Sequence, residues 1–146
     1  MSLHILIDSC FWIALLDPRT NPKDNELAKD IYTLIENHKL IVPFPTLYEF
    51  VNSRLSRKEQ RIELERIFSK PNIQKISAEK YKEDALNSYF SKSKFYTEDK
   101  SLVDEILILM MDDVNLKVDY LISLDGPLNN VAISKGKRTI IEYVES

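Results

Sequence analysis

Short apolar runs alternate along this chain with longer stretches of helical period, and that alternation is its tightest constraint. Residues 3–7, 40–42, 72–76, 120–124 and 138–141 read as strands, brief segments bounded by turn-forming residues. Residues 10–16, 24–37, 58–68, 78–90, 101–114 and 127–134 read as helices, with a further helix opening near Pro45. Residues 24–37 place Leu27, Ala28, Ile31, Leu34 and Ile35 on one helical face. Residues 91–100 read as a polar loop. Strands that alternate with helices imply right-handed crossovers. The expected architecture is α/β, a mainly parallel sheet flanked by helices on both faces. With 146 residues and no linker or repeat, one domain over 1–146 is expected.

Scarcity of two residue types removes whole chemistries. Gly126 and Gly136 are the only glycines, so neither the dinucleotide-binding glycine loop nor the phosphate-binding loop can be built. Cys10 is the only cysteine, which excludes an internal disulfide framework and a multi-thiolate zinc site. The opening MSLHILIDSC lacks the basic start of a secretory signal, and no apolar stretch approaches the roughly 20 residues of a bilayer span. A cytoplasmic protein without membrane attachment is expected. A net charge of −3 argues against nucleic-acid binding through overall basicity, but it leaves room for a local basic strip.

The acids carry the most information. LHILI runs into Asp8 and YLISL runs into Asp125, so both carboxylates fall at the carboxyl edge of the sheet, where such folds bind ligands. Capping the next helix is the commoner role for an Asp so placed. Asp104 shares a helical face with Leu107, Ile108 and Met111 on a helix that is apolar nearly all round. A carboxylate buried there needs a partner or a metal, unless it serves the helix dipole in the first turn. Glu49, in PFPTLYEFVN, points away from the stripe of Leu47, Phe50, Val51 and Leu55, toward solvent or a polar cleft. Were these four acids to converge, their repulsion would call for a cation, and an all-oxygen set suits Mg²⁺ or Mn²⁺.

In order and spacing these segments resemble the PIN domain, especially the VapC-type toxin nucleases. ILIDSCFWIALL resembles the opening strand and first acid, PFPTLYEFVN the segment with the Glu, SLVDEILILMM the helix with the third acid, and DYLISLD the strand ending in the fourth. The resemblance spans essentially the whole chain. It implies that the first and fourth strands lie side by side, and that Asp8, Glu49, Asp104 and Asp125 ligate Mg²⁺ or Mn²⁺. Ser9 matches a small hydroxyl residue of the family. The implied activity is endoribonuclease: in-line hydrolysis of RNA phosphodiester bonds, with the acids holding metal rather than attacking covalently. The implied partners are RNA, a small antitoxin protein and a second copy of the chain in a homodimer. Many relatives carry another acid after the fourth; here the stretch is GPLNN, with Asn129 and Asn130. That departure motivates an alternative, a catalytically weak or inactive PIN-fold binding or regulatory module.

Other chemistry-bearing residues have plainer readings. Cys10 is expected in the core, and His4 and His38 in packing and helix capping. Arg54, Arg57, Lys58, Arg61 and Arg66 could meet phosphates, but the interleaved Glu59, Glu63 and Glu65 favour a solvated helix with internal ion pairs. Tyr89, Phe90, Lys92, Lys94, Phe95 and Tyr96 mix rings with cations, and packing of a helix end is the better expectation. Asp112 and Asp113, near a helix C-terminus, are expected to be solvated. A haloacid-dehalogenase-like enzyme would want an Asp where Cys10 stands.

Overall fold

The computed structural model describes residues 2–44, 55, 57–93, 102–124 and 126–139. Its strands are β1 (His4–Ile7), β2 (Lys39–Phe44), β3 (Ile73–Ser77), β4 (Tyr120–Ile122) and β5 (Arg138–Thr139). They form one sheet in the order β3-β2-β1-β4-β5, parallel at every pairing. The described helices are α1 (Ser9–Leu16), α2 (Pro22–Ile35), α3 (Lys58–Phe68), α4 (Glu79–Ser93), α5 (Leu102–Asp112) and α6 (Gly126–Ser134). Among the described residues, no helix is long and apolar enough to cross a membrane.

Side chains alternate across a strand, and here the alternation sorts the core into two layers. Ile5, Ile7, Leu40, Val42 and Ile122 pack with Phe11, Trp12, Ile31, Leu64 and Ile67 from α1, α2 and α3. Leu6, Ile41 and Leu121 pack with Tyr81, Ala85, Ile106, Met110 and Leu128 from α4, α5 and α6. The chain therefore winds outward from β1 through β2 to β3 on one face. It then returns to β4, beside β1, and winds outward to β5 on the other face. Right-handed crossovers require this change of face when the direction along the sheet reverses. The first and fourth strands thus lie side by side, as the sequence resemblance implied.

Several boundaries differ from expectation for physical reasons. Pro43 was expected to end β2, because proline removes a ladder donor. The β1–β2 ladder stops at Leu6↔Ile41, however, while pairing with β3 continues to Phe44↔Ser77. The proline therefore falls where one side of β2 has run out of partner. Helix α4 continues through residues 91–93, which were expected in a loop. Ser and Lys lower helix propensity by only tenths of a kcal/mol, and no Gly or Pro intervenes. Asp113, expected to be solvated, accepts from Tyr81 Oη at 2.8 Å, from Lys80 Nζ at 2.9 Å and from the Asn115 N–H at 2.9 Å. These partners, Lys80 foremost, pull its carboxyl down to about 2. Asp112 meets Lys135 at 2.7 Å, so α5 is tied to α4 and to the end of α6. The helix expected near Pro45 and the residues 94–100 lie outside the described residues.

Trp12 anchors the first layer. It is fully buried and meets Phe11, Tyr32 and Phe68 edge-on at ring distances of 5.4, 6.4 and 5.1 Å. Its Nε1 has no hydrogen-bond partner among the described residues. Trp12→Ala is expected to cost about 3–5 kcal/mol in urea unfolding. Trp12→Phe should cost much less, since it keeps ring contact and the lost N–H had no partner. Equal losses for the two variants would contradict this packing.

Candidate metal site at the carboxyl edge

Asp8 is the single residue between β1 and α1. Its backbone is extended, with φ −75° and ψ 148°, as a helix-capping residue's would be, yet its carboxylate makes no cap hydrogen bond. The carboxylate is occupied elsewhere. The Asp8 N–H donates to the Ile122 carbonyl at 2.9 Å, and the register Ile7↔Ile122 brings Asp8 level with Ser123. Ser123 Oγ donates to Asp8 Oδ2 at 2.8 Å, and Cys10 Sγ donates to the same oxygen at 3.1 Å. Ser9 Oγ reaches Oδ1 at 3.4 Å. Asp8 is 6% exposed and Ser123 fully buried. Every one of these side-chain donors is neutral. Among the described residues, no Lys, Arg or His forms an ion pair with Asp8. A buried carboxylate without a cation is costly, and hydrogen bonds from neutral groups offset only part of that cost.

Cys10 belongs to this site and not to the core where it was expected. It is half-buried, and the Leu124 N–H donates to its sulfur at 3.3 Å. With that hydrogen received, the thiol's own hydrogen is directed to Asp8. Burial, reinforced by the negative charge of Asp8, pushes the thiol up to about 12, so it remains a protonated donor. Asn129, one of the two asparagines of the GPLNN stretch, donates from Nδ2 to the Ser123 carbonyl at 2.9 Å. It thereby ties the start of α6 to the end of β4. Its Oδ1 is buried with no hydrogen-bond partner among the described residues.

The four proposed ligands fare differently. Asp8 stands at the switch point between the two windings of the chain. Asp104 occupies the first turn of α5 and is partly exposed. Helix α5 covers the face onto which Leu6 projects, and alternation turns Asp8 toward that same face. Its neighbour Glu105 is the more deeply buried acid, at 2% exposure. Sequence periodicity singles out Asp104 and passes over Glu105. Glu49 and Asp125 lie outside the described residues. The residues flanking Asp125 are described, and Leu124 on one side reaches Cys10. Among the described residues, no three His, Cys, Asp or Glu side chains gather into a group able to hold a metal. The sequence does not mark Ser123, Cys10 and Asn129 as one cluster. Their signals were a lone hydroxyl inside the apolar run YLISL and a thiol two residues after Asp8.

No protein-family model matches the chain, and no curated protein matches it.

The Cys10 environment makes a direct prediction. Thiolate is the reactive form, and both burial and Asp8 disfavour it. Alkylation of the native protein at pH 8 should be slower than that of the urea-unfolded chain by a factor of about 10² or more. The native rate should still be climbing as the pH passes 10. A native rate equal to the unfolded rate at pH 8 would show that the thiol is not held in this way.

Proposed function

We propose that this chain is a metal-dependent ribonuclease of the PIN type, similar to the VapC toxins, which hydrolyses RNA phosphodiester bonds. The observation that carries the reading is the state of Asp8: buried, at the switch point, free of the capping role and, among the described residues, contacted by neutral donors only. A carboxylate so placed suits a cation. The set Asp8, Glu49, Asp104 and Asp125 offers hard oxygen donors, which fit Mg²⁺ or Mn²⁺ better than softer metals. When bound, such an ion activates water for attack on the phosphodiester and neutralises charge on the scissile group. The protein's own groups provide orientation. Ser123 and Cys10 both donate to Oδ2, whereas among the described residues Oδ1 has only the longer Ser9 contact, so acceptor capacity remains on Oδ1. The family reading extends to a cytoplasmic toxin, held as a homodimer and neutralised by a small antitoxin.

Cleavage of single-stranded RNA in Mg²⁺ or Mn²⁺ tests the assignment. Asp8→Asn and Asp104→Asn are each expected to lower the rate by at least about 100-fold, the upper limit for losing an outer partner of a ligand. Ser123→Ala, which removes such a partner, should lower metal affinity or rate by about 10–100-fold. Undiminished cleavage in both Asp variants would sink the assigned site. The second reading, a binding module on the same fold, draws on the GPLNN stretch, where Asn129 or Asn130 stands in the region of a further acid in many relatives and the Asn129 amide nitrogen is engaged with the Ser123 carbonyl. Calorimetry with Mn²⁺ separates the two, because a clean absence of metal binding favours the module.

A further inference from the structure

We infer that an apolar pocket beside α3, rimmed by Lys58, Arg61 and Lys75, receives single-stranded RNA flanking the bond to be cut. The inference takes its substrate from the ribonuclease reading, but binding at the pocket is measurable without cleavage. The pocket encloses about 440 Å³. Phe44 and Phe68 contribute to its wall, with ring centroids 6.4 Å apart and planes inclined by 61°. Ile62, a lining residue, is 56% exposed. The basic stretch in and before α3 therefore divides. Arg66 is engaged by Glu63 one turn away, as a solvated helix with internal ion pairs would have it. Lys58 and Arg61 line the pocket together with Lys75 from β3, and none of the three forms an ion pair among the described residues. Lys75 Nζ stands 5.8 Å from the Phe44 ring centroid. Among the described lining residues Glu65 is the one acid, set against three cations on a chain whose net charge is −3.

Rings interleaved with cations are what single-stranded nucleic acid requires, since bases stack and phosphates need counter-charge. Position favours RNA over an acidic apolar peptide. The β1–β2 ladder ends at Leu6↔Ile41, two residues before Asp8 on β1's side and three before Phe44 on β2, so both residues lie just past it at the carboxyl edge. Adjacent strands lie about 4.8 Å apart. Phe44 therefore stands one strand from Asp8 at the same carboxyl edge, on the α1–α3 side. RNA with its scissile phosphate at Asp8 crosses that edge into the pocket.

The test is fluorescence anisotropy of a labelled single-stranded RNA on the wild-type protein in EDTA, over a range of salt. The Lys58→Glu/Arg61→Glu/Lys75→Glu variant should bind at least about 10-fold more weakly, with a log–log salt slope reduced by about 2, at roughly 0.7 for each phosphate no longer neutralised. Phe44→Leu should weaken binding about 5-fold or more and leave the slope unchanged, as loss of stacking alone would. Lys117→Glu, ahead of β4 at the opposite edge, should change neither. Thermal unfolding confirms that each variant folds. Wild-type affinity and slope in the folded triple variant would overturn the inference, whatever else fills the pocket. RNA held through these cations without cleavage in Mn²⁺ would leave it standing and remove the ribonuclease reading. Cleavage with unchanged RNA affinity in the triple variant would do the reverse.

Discussion

The pairing of β4 with β1 is the interaction on which everything else in this molecule depends. The chain leaves β1, builds outward to β3 and must come back across the sheet before it can continue. The return is secured by the ladder from Ile5↔Tyr120 to Ile7↔Ile122 and extended by the Asp8 N–H to the Ile122 carbonyl. It joins residues 115 positions apart and places Ser123 against Asp8. Were β4 to slip by one residue, the side-chain period of two would turn Leu121 and Ile122 to the wrong layers. Ser123 would then leave Asp8 without its shortest hydrogen bond. The register that satisfies both hydrophobic layers is the one that assembles the polar edge.

The apolar core and the polar edge are thus separated in space but coupled through the strands. Below the edge, Ile5, Leu6, Ile7, Ile41, Leu121 and Ile122 are all fully buried and hold the sheet between its helices. At the edge the same strands end in polar residues whose burial works against stability. Asp8 is the clearest case: hydroxyl and thiol donors lessen the cost of its burial without neutralising it. Among the described residues that carboxylate is held in place by neutral donors and forms no ion pair. Cys10 fits this account as a neutral donor, since its thiol resists ionisation beside Asp8.

Much of the architecture is legible in the sequence because it rests on periodicity. Residues 58–68 read as a helix and are one, and each strand falls within two residues of its expected limits. The failures come where local signals compete with tertiary context. Pro43 reads as a strand terminator, but β2 outruns its β1 partner and tolerates it. Asp113 reads as a solvated acid at an unfavourable helix end, but Tyr81 and Lys80 from α4 reach it. The charged α3 reads as a solvated helix with internal ion pairs; Arg66 has such a partner in Glu63, whereas Lys58 and Arg61 form no ion pair among the described residues. Which cations have partners depends on what packs beside the helix, and the chain's own order does not reveal that.

By itself the sequence determined the class of fold, the burial of the apolar strands and the placing of Asp8 at the end of one of them. Those properties follow from local pattern: a period of two or 3.6, and a polar residue where an apolar run stops. Tertiary structure alone decided what Asp8 touches. It brought Ser123 and Cys10 to one carboxylate oxygen, set Asn129 against the Ser123 carbonyl, buried Glu105 more deeply than Asp104 on α5, and grouped Lys58, Arg61 and Lys75 around one pocket. Hydrogen bonds and ion pairs require atoms within about 3–4 Å. For residues distant in sequence, only the return of β4 to β1 and the packing of helices against the sheet create that proximity.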